Sequence, residues 1–270
     1  MCRFNTVTAA ALGLCLVLAS ACSSADRTAG PNARPLSLSF TTRAKASPSV
    51  VGASSINQLT VAAGGNTLVI NKAQVVFSKI ELAAVSTTAC TGDDAVQLVS
   101  TDMSGGGDNS ECEELRADPA LVALPVDASV TTALVSTVPA GTYTDFQARI
   151  RPVNPNTTAG AAFLATHPTF AGVSVHVEGT YNGTAFTYDG ESNAKLELAF
   201  SPPIVVMDAS GLNITVNVDL STWFRDGAGG LVDPATANTG GTNEALVEHN
   251  IHESFEAFED DNHDGHDDHH

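Results

Sequence analysis

The sequence predicts a mainly β protein, an antiparallel β-sandwich with one C-terminal α-helix packed on it. Apolar and polar residues alternate with a period of two along several segments, which is the pattern of half-buried strands. No helical periodicity interrupts these segments before residue 243, so roughly seven to ten antiparallel strands are expected. Only 16% of the residues are charged, below the roughly 25% of an average globular domain, and Gly occurs 22 times. This composition is typical of secreted β proteins.

The charge balance excludes two classes of partner. The 270 residues include 12 basic and 30 acidic side chains, for a net charge of −18. Nucleic-acid binding needs a basic surface, and so does electrostatic docking on anionic lipid. The hydrophobic fraction of 43% is sufficient for a core. We take residues 36–242 as one sandwich domain.

Residues 1–21 predict a lipoprotein signal peptide. Arg3 precedes an apolar stretch over residues 7–18, which is too short to span a bilayer. The sequence from Ala19 to Cys22 resembles a bacterial lipobox, although Ala19 stands where Leu is commoner. The resemblance implies that Cys22 is lipidated and anchors the protein in the cell envelope. The alternative is plain secretion after Ala21.

Residues 22–35 are small, polar and rich in Pro and Gly, which predicts a flexible tether. Ser23 favours the outer membrane, because Asp at that position is the usual inner-membrane retention signal in some Gram-negative bacteria. No other apolar run approaches 18 residues, so the lipid is expected to be the membrane attachment.

Two cysteines beyond the anchor predict a disulfide. Cys2 and Cys15 leave with the signal peptide, and Cys90 and Cys112 remain besides Cys22. In an exported chain such a pair most simply forms one disulfide, which would stabilise the fold by about 3 kcal/mol. The alternative is a metal site on the two thiolates, although their spacing is not CxxC.

The clearest strand runs from Leu212 to Leu220. Its apolar residues alternate with four polar residues, which are predicted on a solvent-facing side: Asn213, Thr215, Asn217 and Asp219. The alternation shifts between Phe77 and Ile80, which predicts a bulge or bend. Asn182-Gly183 predicts a hairpin turn, and Pro202-Pro203 predicts an edge or bulge.

Trp223 and Phe224 follow this strand. We expect them to close one end of the core, and the alternative is that they line a ligand pocket. Further along, residues 243–258 predict a helix capped by Asn243. Its apolar residues form one stripe that would pack on the sandwich: Val247, Ile251, Phe255 and Phe258.

The tail, residues 259–270, has the spacing D-x-N-x-D-G-x-x-D from Asp260. It resembles the calcium loops of EF-hands, dockerins and thrombospondin type 3 repeats. The resemblance implies four side-chain ligands and one carbonyl ligand: Asp260, Asn262, Asp264, Asp268 and the carbonyl of His266. The Glu of position twelve would follow His270 and there is no exiting helix, so weak binding is expected, near ~10⁻⁴ M. The alternative is a solvated acidic tail.

Histidine enrichment gives a second metal hypothesis. Six of the eight histidines fall within residues 249–270, and imidazole suits Zn²⁺ and Cu²⁺. These residues are His249, His252, His263, His266, His269 and His270. His252-Glu253 begins like a zincin motif, but Glu256 replaces the second His, which argues against a metalloprotease.

The sequence predicts that the protein is not an enzyme. It contains no GxSxG, no P-loop and no GxGxxG that opens a helix. His167 and His176 have no nucleophile nearby in sequence, and His176 is expected on the wet face of a strand. A carbohydrate-binding sandwich is a further alternative, with three tyrosines as candidate stacking platforms: Tyr143, Tyr181 and Tyr188.

Four stretches carry a resemblance to a known family: residues 72–82, 138–143, 177–183 and 218–224. They resemble a functionally uncharacterised family of bacterial lipoproteins with a prealbumin-like or immunoglobulin-like sandwich. The likeness implies a fold and a location, and it brings no catalytic residue with it. The expected function is therefore a non-catalytic, lipid-anchored binding or structural module of the cell envelope.

Overall fold

The computed structural model describes residues 33–44, 58–84, 112–116, 118–207 and 211–268. Within these residues it confirms a mainly β fold of two sheets, consistent with a β-sandwich. The strands are β1 (Ala33–Thr41), β2 (Leu59–Ala63), β3 (Asn66–Ala84), β4 (Cys112–Arg116), β5 (Ala120–Leu124), β6 (Thr131–Pro139), β7 (Gly141–Ile150), β8 (Val175–Tyr181), β9 (Thr184–Gly190), β10 (Ala194–Val206), β11 (Leu212–Val218) and β12 (Phe255–Glu259). The α-helices are α1 (Thr158–Thr166) and α2 (Glu244–Glu253).

The first sheet has the strand order β12-β11-β1-β6. Its pairs are antiparallel except β1 with β11, which run parallel. The strand β1 begins at Ala33, so it includes three residues that the sequence assigned to the tether. The reason is that pairing with β6 continues to the end of that strand, where Ala33 lies opposite Pro139.

The second sheet has eight strands and is organised around β3, which is 19 residues long. The strands β8 and β7 pair with one edge of β3, and β2, β5 and β4 pair with the other edge. Pairing with β7 shifts register between Phe77 and Lys79, which confirms the predicted bulge. The hairpin at Asn182-Gly183 is also confirmed, since both residues have positive φ and join β8 to β9.

The core lies between the two sheets and closes as expected around Trp223 and Phe224. Both side chains are fully buried. The ring of Phe224 packs edge-on against Phe186 and Tyr188, with centroid distances of 5.8 and 5.4 Å. These residues therefore belong to the core and do not line an accessible ligand pocket.

The prediction of a solvent-facing side on β11 is wrong. All seven residues of the strand are buried, including Asn213, Thr215 and Asn217. The alternate apolar residues face the core, while the polar ones lie beneath other parts of the chain. Buried polar side chains need hydrogen-bond partners. Asn213 and Thr215 bond to the C-terminal loop, residues 260–268, and Asn217 Oδ1 accepts from Arg43 N (2.8 Å).

The predicted C-terminal helix is wrong in its extent. The helix α2 ends at Glu253, and residues 255–259 form β12, which pairs with β11. Strand pairing satisfies the backbone of this segment and buries Phe255 and Ala257 on one side. Asn243 does precede the helix, but its side chain donates to Thr236 Oγ1 (2.7 Å) and makes no capping bond.

One helix was not expected from the sequence. The helix α1 follows β7, and its start is capped by Thr157, whose Oγ1 accepts a hydrogen bond from Gly160 N (3.0 Å). Phe163 packs with Val76 and Phe170 in a small second apolar cluster. Because Val76 belongs to β3, α1 covers part of the second sheet on the side away from the main core.

Candidate functional site at the C-terminal loop

The C-terminal loop, residues 260–268, is built around one buried carboxylate. Asp260 directly follows β12 and is fully buried. Its Oδ2 accepts hydrogen bonds from Thr215 Oγ1 (2.7 Å) and Gly265 N (2.9 Å), and its Oδ1 accepts one from Asp264 N (2.9 Å). Three donors therefore replace the water that this charge loses on burial, as a buried carboxylate requires.

Asp and Asn residues at every second position in the first half of the loop close successive turns with their side chains. Asn262 Oδ1 accepts from Asp264 N (2.8 Å), and Asp264 Oδ1 accepts from His266 N (2.8 Å). Gly265 has φ +76°, and a Cβ there would lie 2.9 Å from Val130 Cγ2. The glycine is thus required both by the backbone conformation and by the close approach of Val130.

Asp268 closes the loop by binding its beginning. Its carboxylate accepts from Asp261 N (2.6 Å) and from Asn262 Nδ2 (2.9 Å). Its backbone N–H donates to Glu259 O (3.2 Å). Asp268 therefore lies beside the start of the loop.

The loop is fastened to the first sheet by Asn213 and Arg43. Asn213 Nδ2 contacts His263 Nδ1 (2.9 Å) and the carbonyl of Asp260. The Arg43 guanidinium contacts the carbonyl of Asp264 and the His266 ring. Together with the bond from Thr215, these contacts explain why the polar side of β11 is buried.

The residues named as calcium ligands thus lie in one loop, and the side-chain oxygens of Asp260, Asn262, Asp264 and Asp268 accept hydrogen bonds from nearby donors. Among the described residues, no group of three or more His, Cys, Asp or Glu side chains is positioned to hold a metal ion. Asn and carbonyl oxygens are also calcium ligands. The sequence did not indicate that Arg43 contacts this loop. Arg43 lies more than 200 positions before His266, so no local pattern could have indicated the contact.

The histidines of the second metal hypothesis are dispersed over the part of the chain that the structure describes. His252 contacts Glu253 Oε1 (2.9 Å) and the carbonyl of Lys195 (3.0 Å), and the bond to Glu253 raises the pKa of His252. His263 and His266 contact different partners, and His249 is exposed on α2. His269 and His270 lie outside the described residues.

Several features predicted from the N-terminal half of the sequence fall outside the described residues. The signal peptide, Cys22 and Cys90 lie outside the described residues, as does the side chain of Cys112 at the start of β4, so lipidation and the disulfide stay predictions. No helix in the described ranges is long and apolar enough to cross a membrane.

The candidate carbohydrate platforms are not exposed rings. Tyr143 and Tyr188 are buried in the core, with relative exposures of 2% and 0%. Tyr181 is half-buried, and its hydroxyl donates to Leu231 O (3.3 Å). The two core tyrosines therefore offer no face on which a sugar ring can stack.

A scan against protein-family models, a search of curated proteins and a search of solved structures each found no match to this chain. The likeness to a lipoprotein family and to calcium loops stays a prediction from the residues that carry it.

His176 is more buried than the sequence suggested, and it joins two carboxylates. Its Nδ1 lies 2.6 Å from Asp189 Oδ1 and its Nε2 lies 2.8 Å from Glu178 Oε1. Lys72 Nζ also binds Glu178 Oε1, at 2.8 Å. Both ring nitrogens are thus engaged by carboxylates, which is an arrangement of structural bonds between β8, β9 and β3.

The contacts among His176, Glu178 and Lys72 should make the stability of the protein depend slightly on pH in the acid range. The hydrogen bonds from His176 and Lys72 lower the pKa of Glu178 from its usual 4.5. A carboxylate with a lowered folded-state pKa stabilises the protein above the unfolded value and loses that effect as pH falls through the folded value. Glu178→Gln should therefore lower the Tm at pH 5.5 by about 2 °C or less, because the pair is exposed, and by less at pH 3. Equal shifts in melting curves at both pH values would contradict this.

Proposed function

We propose that the protein is a non-catalytic, lipid-anchored module of the cell envelope whose C-terminal loop is a weak calcium site that fastens the end of the chain to the first sheet. The observation that carries the calcium proposal is the D-x-N-x-D-G turn around the fully buried Asp260. The lipid anchor is supported by the lipobox-like sequence that ends at Cys22.

Oxygen chemistry favours calcium over a transition metal at this loop. The candidate ligands are carboxylates, an amide and a carbonyl, which are the hard ligands that Ca²⁺ prefers. A carboxylate has about four lone-pair positions. Asp264 accepts a bond from His266 N at Oδ1, so its carboxylate retains acceptor capacity for a cation.

Two features support weak rather than tight binding. The carboxylates of Asp260 and Asp268 already accept several hydrogen bonds within the protein. The guanidinium of Arg43 also lies against the loop at the Asp264 carbonyl and the His266 ring. A second cation there would be repelled, so affinity near ~10⁻⁴ M is expected.

The test is calorimetric titration of the complete protein in detergent with Ca²⁺ and then with Zn²⁺. We expect millimolar Ca²⁺ to bind and to raise the Tm, and Asp264→Asn to weaken binding by about tenfold or more. Asp261→Asn is the matched control, because it removes the same charge from a loop position that is not a ligand. It should change the affinity by about twofold or less.

Other outcomes would replace the proposal. An unchanged Tm and no heat with Ca²⁺ would leave the loop as a structural closure of the sheet. Binding of Zn²⁺ alone, lost between about pH 7 and pH 5 as imidazole is protonated, would assign metal binding to the histidines. Equal weakening by both Asn variants would indicate general charge attraction rather than a site.

A further inference from the structure

A groove lies between α1 and the strand β5, on the opposite sheet from the C-terminal loop. It has a volume of about 560 Å³ and is open to solvent on one side. Its lining includes five alanines from three segments: Ala120, Ala123, Ala133, Ala159 and Ala162. Alanines on both walls leave space that larger residues would fill.

One wall of this groove is an edge of β5 with which no described strand pairs. In the part of the chain that the structure describes, β5 pairs with β3 alone. The N–H of Val76 donates to Ser174 O (2.8 Å), so the backbone groups of Val76 point toward β8. Backbone groups alternate in direction along a strand, so those of Val75 point toward β5, where Val75 lies opposite Val122.

It follows that Leu121 and Ala123, the neighbours of Val122, direct their N–H and C=O groups away from β3. Both residues line the groove, and Ala123 is exposed. Unpaired groups along a strand edge are a template for pairing with another extended chain. The groove therefore offers main-chain hydrogen bonds beside a lining that contains several alanines.

One end of the groove carries a guanidinium that an acidic group could pair with. Arg116 lines the groove together with Asp118 and His167. The Arg116 guanidinium donates to the carbonyls of Asp118 (3.0 Å) and Pro119 (3.5 Å). No described carboxylate forms an ion pair with it, although the whole chain carries a net charge of −18. An incoming carboxylate would find here a guanidinium that is bonded to backbone carbonyls and to no described carboxylate.

We propose that this groove binds an extended segment of a partner protein, which adds to the free edge of β5 as a further strand and places an acidic side chain beside Arg116. The proposal is independent of the calcium site. A small molecule fits less well, because ligand pockets usually enclose 70–90% or more of a drug-sized ligand, whereas this groove is open on one side.

The probe is a phage-displayed library of random dodecapeptides, selected on the complete protein in detergent. We expect Asp or Glu in the enriched peptides at a frequency above that of the unselected library. Ala162→Trp fills the groove from an exposed position on α1 and should weaken binding of an enriched peptide by about tenfold or more. Ala161→Trp, an exposed neighbour that does not line the groove, should change binding by about twofold or less.

Two further measurements separate strand addition from other modes of binding. Arg116→Gln should weaken binding of an acidic peptide by about fivefold or more. It should weaken binding of the Asn/Gln analogue of that peptide much less. Saturating peptide should protect the amides of Leu121 and Ala123 from hydrogen exchange. Selection without enrichment, equal effects of the two Trp variants, or unprotected amides would each overturn the proposal. Displacement of the peptide by free glutamate alone would point to a small anion instead.

Discussion

Asp260→Ala is expected to lower the free energy of unfolding by about 2–4 kcal/mol and to free the C-terminal loop from the first sheet. The substitution leaves Thr215 Oγ1, Asp264 N and Gly265 N without the acceptor that each one uses. An unsatisfied buried donor costs about 1–3 kcal/mol. The total stays below three times that cost, because the loop can detach and let water reach the two backbone N–H groups.

Denaturant unfolding combined with hydrogen exchange measures this effect. Amide protection should fall across residues 260–268, while the strands of the second sheet keep theirs. Asp261→Ala is the control, because its side chain is exposed in the same loop, and it should change stability by about 0.5 kcal/mol or less. If the two variants behave alike, the buried carboxylate does not hold the loop.

The strand β11 shows how far the sequence predicts this site. The alternation from Leu212 to Val218 correctly predicts a strand and its core-facing residues. It also predicts a wet side, because alternation shows only that one face is polar. The cover over Asn213 and Thr215 comes from residues 260–268, more than 40 positions away. Burial of that face is a tertiary effect that no local pattern contains.

The segment after α2 shows a different limit of prediction from the sequence. Val247, Ile251 and Phe255 fit a helical stripe, and Phe255 with Ala257 also fits the period of a strand. The strand forms because β11 offers an edge to residues 255–259. For the loop itself, the spacing identifies Asp260, Asn262, Asp264 and Gly265 as one turn, which the structure contains. Whether this turn takes calcium stays a prediction.

Trp223→Ala is expected to lower the free energy of unfolding by about 3–5 kcal/mol, which corresponds to a fall in Tm of roughly 10–15 °C. Trp223 is among the largest fully buried side chains, and its removal would leave a cavity in the core. Its Nε1 also donates to Ser254 Oγ (2.8 Å), which in turn donates to Ile251 O (2.7 Å). The indole therefore holds the junction between α2 and β12 as well as filling space.

Trp223→Phe separates these two contributions, because it keeps an aromatic ring and removes the N–H donor. It should lower the free energy of unfolding by about 1–3 kcal/mol, which is less than the alanine variant does. Circular dichroism is the appropriate probe, since Trp223 is the single tryptophan and fluorescence would be lost with it. Val135→Ala, at a position with 73% exposure, should change stability by about 0.5 kcal/mol or less.

Hydrogen exchange in the same variants tests whether the junction connects the core to the loop. The strand β12 begins one residue after Ser254 and leads directly to Asp260. Loosening this junction should therefore reduce protection along residues 255–268 more than in β8 or β9, which lie in the other sheet. An equal loss of protection in both sheets would show that Trp223 stabilises the fold as a whole. The loop would then be held by its own contacts with β11 and Arg43.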